Sequence, residues 1–265
     1  MRFSAIVSRR ASVLAAGLIV SASVGFAAAA GAAEGSPAAA LPPAVEKIVQ
    51  RFAADSAGVI VFRQTVVYEQ RAPGNNEHDE QELSVVQQDR KGIAIRVHRV
   101  VDKGHVQTPE EVAKVQEQTD KRLASEPPHT ATRFSLPYYP EAAGDYTFTT
   151  PKPCTDCPGG ESIDFKSALN DERHGHGTIT FDPATSRVAR LDFVPNVFPK
   201  PATSAKVTYT FARHDDGGWG VARIEEHYAG RMLMISGTAD RTTTITHAKR
   251  VASVDEARRA IQAGL

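Results

Sequence analysis

Cysteine is nearly absent from this 265-residue chain: Cys154 and Cys157 are the only two. Charge excess is absent too. Lys and Arg total 31 and Asp and Glu total 31, so no basic face of the kind nucleic acid needs is expected. Long apolar runs are missing beyond the first thirty residues, so the mature chain is expected to be soluble, without a transmembrane segment. Several catalytic signatures are missing as well. There is no G-x-S-x-G elbow, no H-E-x-x-H, no phosphate-binding G-x-x-x-x-G-K-[ST], no dinucleotide G-x-G-x-x-G and no calcium loop. Nothing in the motifs implies a cofactor, and the expectation is a non-catalytic protein.

What is present begins with an export signal. Arg2, Arg9 and Arg10 precede an apolar, alanine-rich stretch over 11–30, and Gly31-Ala32-Ala33 suits cleavage before Glu34. Ser8-Arg9-Arg10 is similar to a twin-arginine signal, but Ala11 and Ser12 follow where apolar residues belong, which favours general secretion. Residues 1–33 read as signal peptide, 34–42 as an Ala/Pro linker and 43–265 as one domain, periplasmic or secreted. Losing 1–33 removes three arginines and no acids, leaving a slightly acidic chain.

Val45, Ile48, Val49 and Phe52 fall on one helical face behind Pro42 and Pro43. Residues 59–70 are rich in β-branched and aromatic residues and read as a long strand. The polar stretch 72–80 reads as a loop, and Arg90-Lys91-Gly92 as a hairpin turn. Residues 107–124 read as an inserted helix. Thr108 and Glu111 form a capping box, Pro109 takes the first position, and Val112, Val115, Thr119 and Leu123 line one side. From His174 onward the pattern predicts six successive strands, the fifth being RMLMISG over 231–237. Short connections between them require antiparallel neighbours. In 205–213, Val207, Tyr209 and Phe211 alternate with Lys206, Thr208 and Thr210, giving one buried and one wet face. Residues 253–264 read as a closing helix with a Ser253/Glu256 box. The fold class is α+β, mainly β: a strongly curved antiparallel sheet of about ten strands, an open half-barrel, covered by two or three helices on its concave side.

The cysteines lie in a Pro- and Gly-rich loop, 151–162. Pro158 stands where a haem anchor needs His. Pro158-Gly159-Gly160 breaks the helix that a redox pair needs. Zinc binding through His174 and His176 departs from the usual spacing. An exported chain meets an oxidising space, and residues three apart across a turn can reach disulfide separation. A Cys154–Cys157 disulfide stapling the loop is the reading. His174-Gly175-His176 puts two imidazoles on one side, as a metal pair would need. His214, His227 and His247 lie on later strands. Zinc wants three or four converging ligands, so these read as solvated residues, with a metal-binding protein or metal-dependent hydrolase as the alternative. Asp215, Asp216, Glu225 and Glu226 read as a solvated turn and strand end. Met232-Leu233-Met234-Ile235 reads as core.

A helix followed by Phe62-Arg63-Gln64-Thr65-Val66, and later GTITFDPATSRVARL (177–191), resembles the periplasmic lipoprotein carriers and outer-membrane lipoprotein-sorting proteins of the LolA/LolB-like superfamily. The order of elements extends the likeness over 43–124 and 174–250. The resemblance implies an unclosed barrel lidded by helices, whose concave apolar face holds acyl chains of a lipoprotein or another lipid. The expected function is a carrier for a lipidic or amphipathic ligand, with Leu191, Phe193, Val207, Tyr209 and Phe211 as candidate lining. A second alternative is a cell-envelope interaction module that meets an envelope partner through the 107–124 helix. Mass spectrometry of the exported, unreduced protein is expected to show a chain beginning at about Glu34 with both thiols oxidised; two free thiols would refute the staple.

Overall fold

The computed structural model describes residues 40–125, 134–232 and 235–265. The expected export signal, most of the expected 34–42 linker and the side chains of 232–235 lie outside them. The described residues form three helices and one twelve-stranded antiparallel sheet. The helices are α1 (Pro43–Ser56), α2 (Pro109–Ser125) and α3 (Val254–Gln262). The strands are β1 (Val59–Ala72), β2 (Asn75–Gln88), β3 (Lys91–Asp102), β4 (His105–Val106), β5 (Tyr146–Phe148) and β6 (Lys152–Pro153). They continue with β7 (Glu161–Ser167), β8 (Gly175–Asp182), β9 (Arg187–Pro195), β10 (Ala202–Arg213), β11 (Trp219–Met232) and β12 (Ile235–Val251). The sheet order is β4-β3-β2-β1-β12-β11-β10-β9-β8-β7-β5, with β6 on β7. The end strands do not meet, so the sheet is open and curved. The first and last long strands pair in its middle, from Val59↔Val251 to Arg71↔Thr238.

Residues paired across strands share a face, and the register sorts the sheet into two surfaces. The outer one is wet over β7–β10. Thr178 donates to Asp164 at 2.7 Å and Thr208 to Asp192 at 2.8 Å. Burial opposes ionisation of Asp192, but hydrogen bonds from Arg190, Thr208 and Lys206 outweigh it and bring its pKa down to about 2. The inner surface is apolar there. Ile163, Ile179, Leu191 and Tyr209 form one transverse row, and α1 lies over it with Val45 and Ile48 fully buried. Asp55 at the end of α1 anchors the helix: Arg51 and Arg187 both fork onto its carboxylate, and Arg250 donates to its carbonyl at 2.8 Å.

At the other end, α2 covers the inner face around Phe62, Leu83, Val85 and Val97. α3 takes the opposite side, where Ala257 and Ile261 pack on Val59, Val61 and Val86. Two helices thus lie on the concave face and the third on the convex face. The cause is a locally two-sided strand: in β1 Phe62 faces one way, and Val59 and Val61 the other.

Three local readings change. Residues 75–80 belong to β2, because Asn75, Asn76, Glu77 and Asp79 pair with β1 in register, leaving Pro73-Gly74 as the turn. The β2–β3 turn is Asp89-Arg90, both at positive φ, with Asp89 accepting from the Gly58 amide at 2.9 Å. Among the described residues after His174 there are five strands, not six. β11 runs through Ala229-Gly230, and β12 begins at Ile235 and continues through Gly237–Asp240. Gly230 and Gly237 are paired within the ladder, where a Cβ would meet the Pro201 and Arg71 carbonyls at 3.0 and 2.9 Å.

The Thr108/Glu111 box forms: Thr108 N donates to Glu111 Oε2 at 2.8 Å and Glu111 N to Thr108 Oγ1 at 3.4 Å. Ser253 caps α3 by accepting from Glu256 N at 3.2 Å, while the Glu256 carboxylate accepts from Ala252 N at 3.0 Å instead of from Ser253 N. Cys154 and Cys157 form a disulfide that staples the β6–β7 loop, which is also closed by the Cys154 amide on the Gly160 carbonyl at 3.0 Å. No helix among the described residues is long and apolar enough to cross a membrane.

Gly177 lies between Phe165 and Phe193 in one transverse row. A Cβ there would lie 1.9 Å from the Asp192 carbonyl oxygen. Gly177→Ala is therefore expected to cost at least about 2 kcal/mol through backbone displacement, measured by urea unfolding followed through the fluorescence of Trp219; an unchanged midpoint would contradict this packing.

Candidate functional site

The candidate site is the inner face of the sheet, and one transverse row describes it. Phe148, Phe165, Gly177, Phe193, Val207, Glu226, Arg241, Tyr68 and Asp79 are consecutive partners across nine strands. The row is aromatic and aliphatic through β10 and charged or phenolic from β11 onward. The adjacent row changes only in part: Leu191, Tyr209 and Ile224 continue into Thr243, Val66 and Gln81, which are uncharged.

The apolar half contains the five residues predicted as lining. Leu191, Phe193 and Val207 are 0% exposed, Tyr209 2% and Phe211 5%. They share one cluster, and the protein's own side chains cover them. The cover has two parts. One is α1. The other is residues 134–145, a strap of turns ending in a short 3-10 helix, Ala143–Asp145, just before β5. Phe134 meets Phe193 with ring centroids 4.9 Å apart, and Tyr138 meets Phe211 edge-on at 5.8 Å. Phe52 of α1 stacks on Tyr139 at 5.4 Å and leans on Tyr138 at 4.6 Å. Burial pushes the Tyr138 phenol well above its ordinary value. The strap was unassigned in the sequence, since Leu136-Pro137-Tyr138-Tyr139-Pro140 has neither helical nor strand periodicity. Paired tyrosines between prolines were its one visible signal.

The polar half was missed. Glu226 is not a solvated strand end. Its pairing with Val207 turns it inward, where it accepts from Arg241 at 3.0 Å and from the Tyr228 hydroxyl at 2.5 Å. The side chains of this ion pair are 11% and 16% exposed. Among the described residues Arg241 Nε has no hydrogen-bond partner, nor does Asp102 Oδ1 at the β3 end of the sheet. Burial raises the Tyr68 phenol, and Glu77 and Asp79 add to the rise. Burial also raises Asp79, with Asp102 and Glu77 acting in the same direction against the Lys103 amide. This end of the inner face thus concentrates hydrogen-bonding groups in a partly dry setting, where each is worth more than in water.

The histidines do not converge. His174 is buried, with Nδ1 2.9 Å from both Asp171 oxygens and Nε2 3.3 Å from Asp145. His176 is exposed beside Asn196. His227 pairs with Asp240 at 2.5 Å and His247 with Asp215 at 3.4 Å. Among the described residues no group of three or more His, Cys, Asp or Glu could hold a metal ion. A serine–histidine contact does exist, Ser84 Oγ to His98 Nε2 at 2.7 Å. It lies on the convex side with Ser84 fully buried, which leaves no approach for a substrate.

No family model matches the chain, and no curated protein does. Among solved structures it is similar to a LolA superfamily protein from Nitrosomonas europaea, at 12% identity and a TM-score of 0.38, covering 80% of this chain and 96% of that one. It is similar to a domain named as an outer membrane lipoprotein-sorting protein from Vibrio parahaemolyticus, at 11% identity and 0.39, covering 82% and 97%. A DUF1329 family protein from Desulfovibrio piger aligns at 10% identity and 0.38, covering 81% and 94%. The first carries the superfamily name that the sequence resembles. TM-scores below 0.5 make the match a loose one, and the functional reading rests on the inner face itself.

Removing one partner of the inner ion pair is expected to leave a mostly buried charge alone. Glu226→Ala should cost about 3 kcal/mol, and the double replacement Glu226→Ala with Arg241→Met distinctly less, by chemical denaturation. Equal losses in the two variants would show that the pair is not coupled.

Proposed function

We propose that this chain is an exported, non-catalytic binding protein that carries an amphipathic ligand on the concave face of its sheet. The observation supporting this is the single inner row that passes from Phe165, Phe193 and Val207 to Glu226, Arg241, Tyr68 and Asp79. A protein that needs only a core has no reason to continue an apolar face into buried, incompletely partnered polar groups, since each of these costs stability. A ligand with an apolar body and a hydrogen-bonding head meets both halves. Its apolar part would take the face of Leu191, Phe193, Val207, Tyr209 and Phe211 by displacing the strap, and its head would lie against Arg241 and Tyr68. Binding would proceed by burial of apolar surface, at roughly 25 cal/mol per Å² removed from water, with polar groups fixing orientation. The export signal would place this activity in the periplasm or outside the cell, with lipid or the acyl chains of a lipoprotein as the cargo class.

Native mass spectrometry of the mature protein is expected to show a co-purifying lipid, and titration with a fluorescent long-chain fatty acid to saturate at one site. Arg241→Gln should weaken that uptake about tenfold through loss of a charged hydrogen bond. Absence of both bound lipid and uptake would refute the carrier reading.

A further inference from the structure

Access to the apolar half depends on what fastens the strap, and this step rests on the carrier reading above. The Ser135 amide donates to the Arg173 carbonyl at 2.9 Å, and the Tyr146 hydroxyl donates to the Ser135 carbonyl. Arg90 forks onto Glu141 at 2.9 Å through each nitrogen and lies over the Tyr139 ring at 4.6 Å. At the far end the strap runs into β5, paired on β7, and there His174 Nε2 reaches Asp145 of the strap. Its Nδ1 is held by Asp171, from the β7–β8 connection.

His174 is 8% exposed and lies between two carboxylates from different segments. An ionised carboxylate only accepts hydrogen bonds, so both ring nitrogens must carry protons for both contacts to form. The bridge requires the imidazolium. Burial works against ionisation of Asp171, but hydrogen bonds from the His174 ring and from the His174 and Arg173 amides outweigh it and hold its carboxyl below the usual value. The other titratable group facing the ring is Tyr146, at 5.9 Å between centroids, and burial raises its phenol so that it stays neutral. Glu172 and Arg173 flank the histidine in the chain and are exposed. The other charged fastening, Arg90–Glu141, keeps its guanidinium charge throughout the neutral range, whereas histidine changes charge between about pH 5 and 8.

We infer that His174 is a pH-sensitive latch on the strap, closing the apolar half of the inner face when protonated and loosening it when neutral. The contact to Asp145 needs a proton on Nε2 while Nδ1–H is held by Asp171, so the fastening is complete at the acidic end and is lost as pH rises. A ligand would then enter or leave more readily on the alkaline side.

Hydrogen exchange of the ligand-free mature protein, read by mass spectrometry, tests this. Protection of peptides within 135–145, corrected for intrinsic exchange, is expected to fall about fivefold between about pH 5.5 and about pH 8, the value of one partly exposed ion pair. Peptides from β9 and β10 should not change. His174→Gln should abolish the pH dependence. Asp145→Ala should abolish it too while leaving the Asp171 contact, and carries the test if the histidine variant does not fold. Strap protection equal at the two pH values, or a fall undiminished in a folded variant, would overturn the latch. Because no ligand is present, this result is separate from lipid uptake: failed uptake removes the carrier reading, and flat exchange removes the latch.

Discussion

Apolar side chains at alternate positions of β7–β10 all face one way, and an open sheet has no second sheet to bury them against. Burial of that face governs the rest of the molecule. A closed barrel would fill its interior from its own strands. Here the filling comes from elsewhere in the chain. α1 supplies Val45, Ile48 and Phe52, and the strap supplies Phe134, Leu136, Tyr138 and Tyr139. The salt-bridged Asp55 at the end of α1 ties that cover to β9 and β12 at once. Aromatic rings meet at several angles across the interface, and such contacts add modestly to the area buried. The two parts of the cover differ in kind. α1 has a regular hydrogen-bonded backbone of its own, while the strap depends on turns and side-chain fastenings. Segments of the second kind open at lower free energy.

The other end of the sheet solves a different problem. β3 has an exposed edge beyond its short pairing with β4, and an unpaired edge invites association. α2 lies against it, and Gln116 meets the edge with both ends of its amide. Its Oε1 accepts from the Val97 amide at 2.7 Å, and its Nε2 donates to the Ile95 carbonyl at 2.9 Å. One side chain thus substitutes for a neighbouring strand. With α2 on the inner face and α3 on the outer, this end is packed on both sides. The charged row between the two covered ends, around Arg241 and Tyr68, is the part of the inner face that neither helix completes.

Much of the architecture was legible from short-range pattern. The α1 face, the Thr108/Glu111 box, the Ser253 cap, the alternation of β10 and the stapled Cys154–Cys157 loop all follow from residues within one or two turns of each other, where local geometry fixes which side chains share a face. β2 and β12 were harder to read. Asn75–Glu80 looks like a loop because its polarity matches one, yet it pairs because β1 provides partners in register. Gly230 and Gly237 look like turn residues, yet they are where neighbouring backbone comes too close for a Cβ.

The sequence by itself determined the class of the fold: an antiparallel sheet, apolar on one side, and amphipathic helices to cover it. That information is carried by periods of 2 and 3.6 residues, which a single chain displays without its neighbours. Only the tertiary structure decided which strands stand side by side. Register between distant strands turned Glu226 inward and set it beside Arg241, put Tyr68 and Asp79 in line with Val207, and brought Asp145 and Asp171 to opposite sides of His174. Those relations join residues tens to more than a hundred positions apart, and no local pattern encodes them.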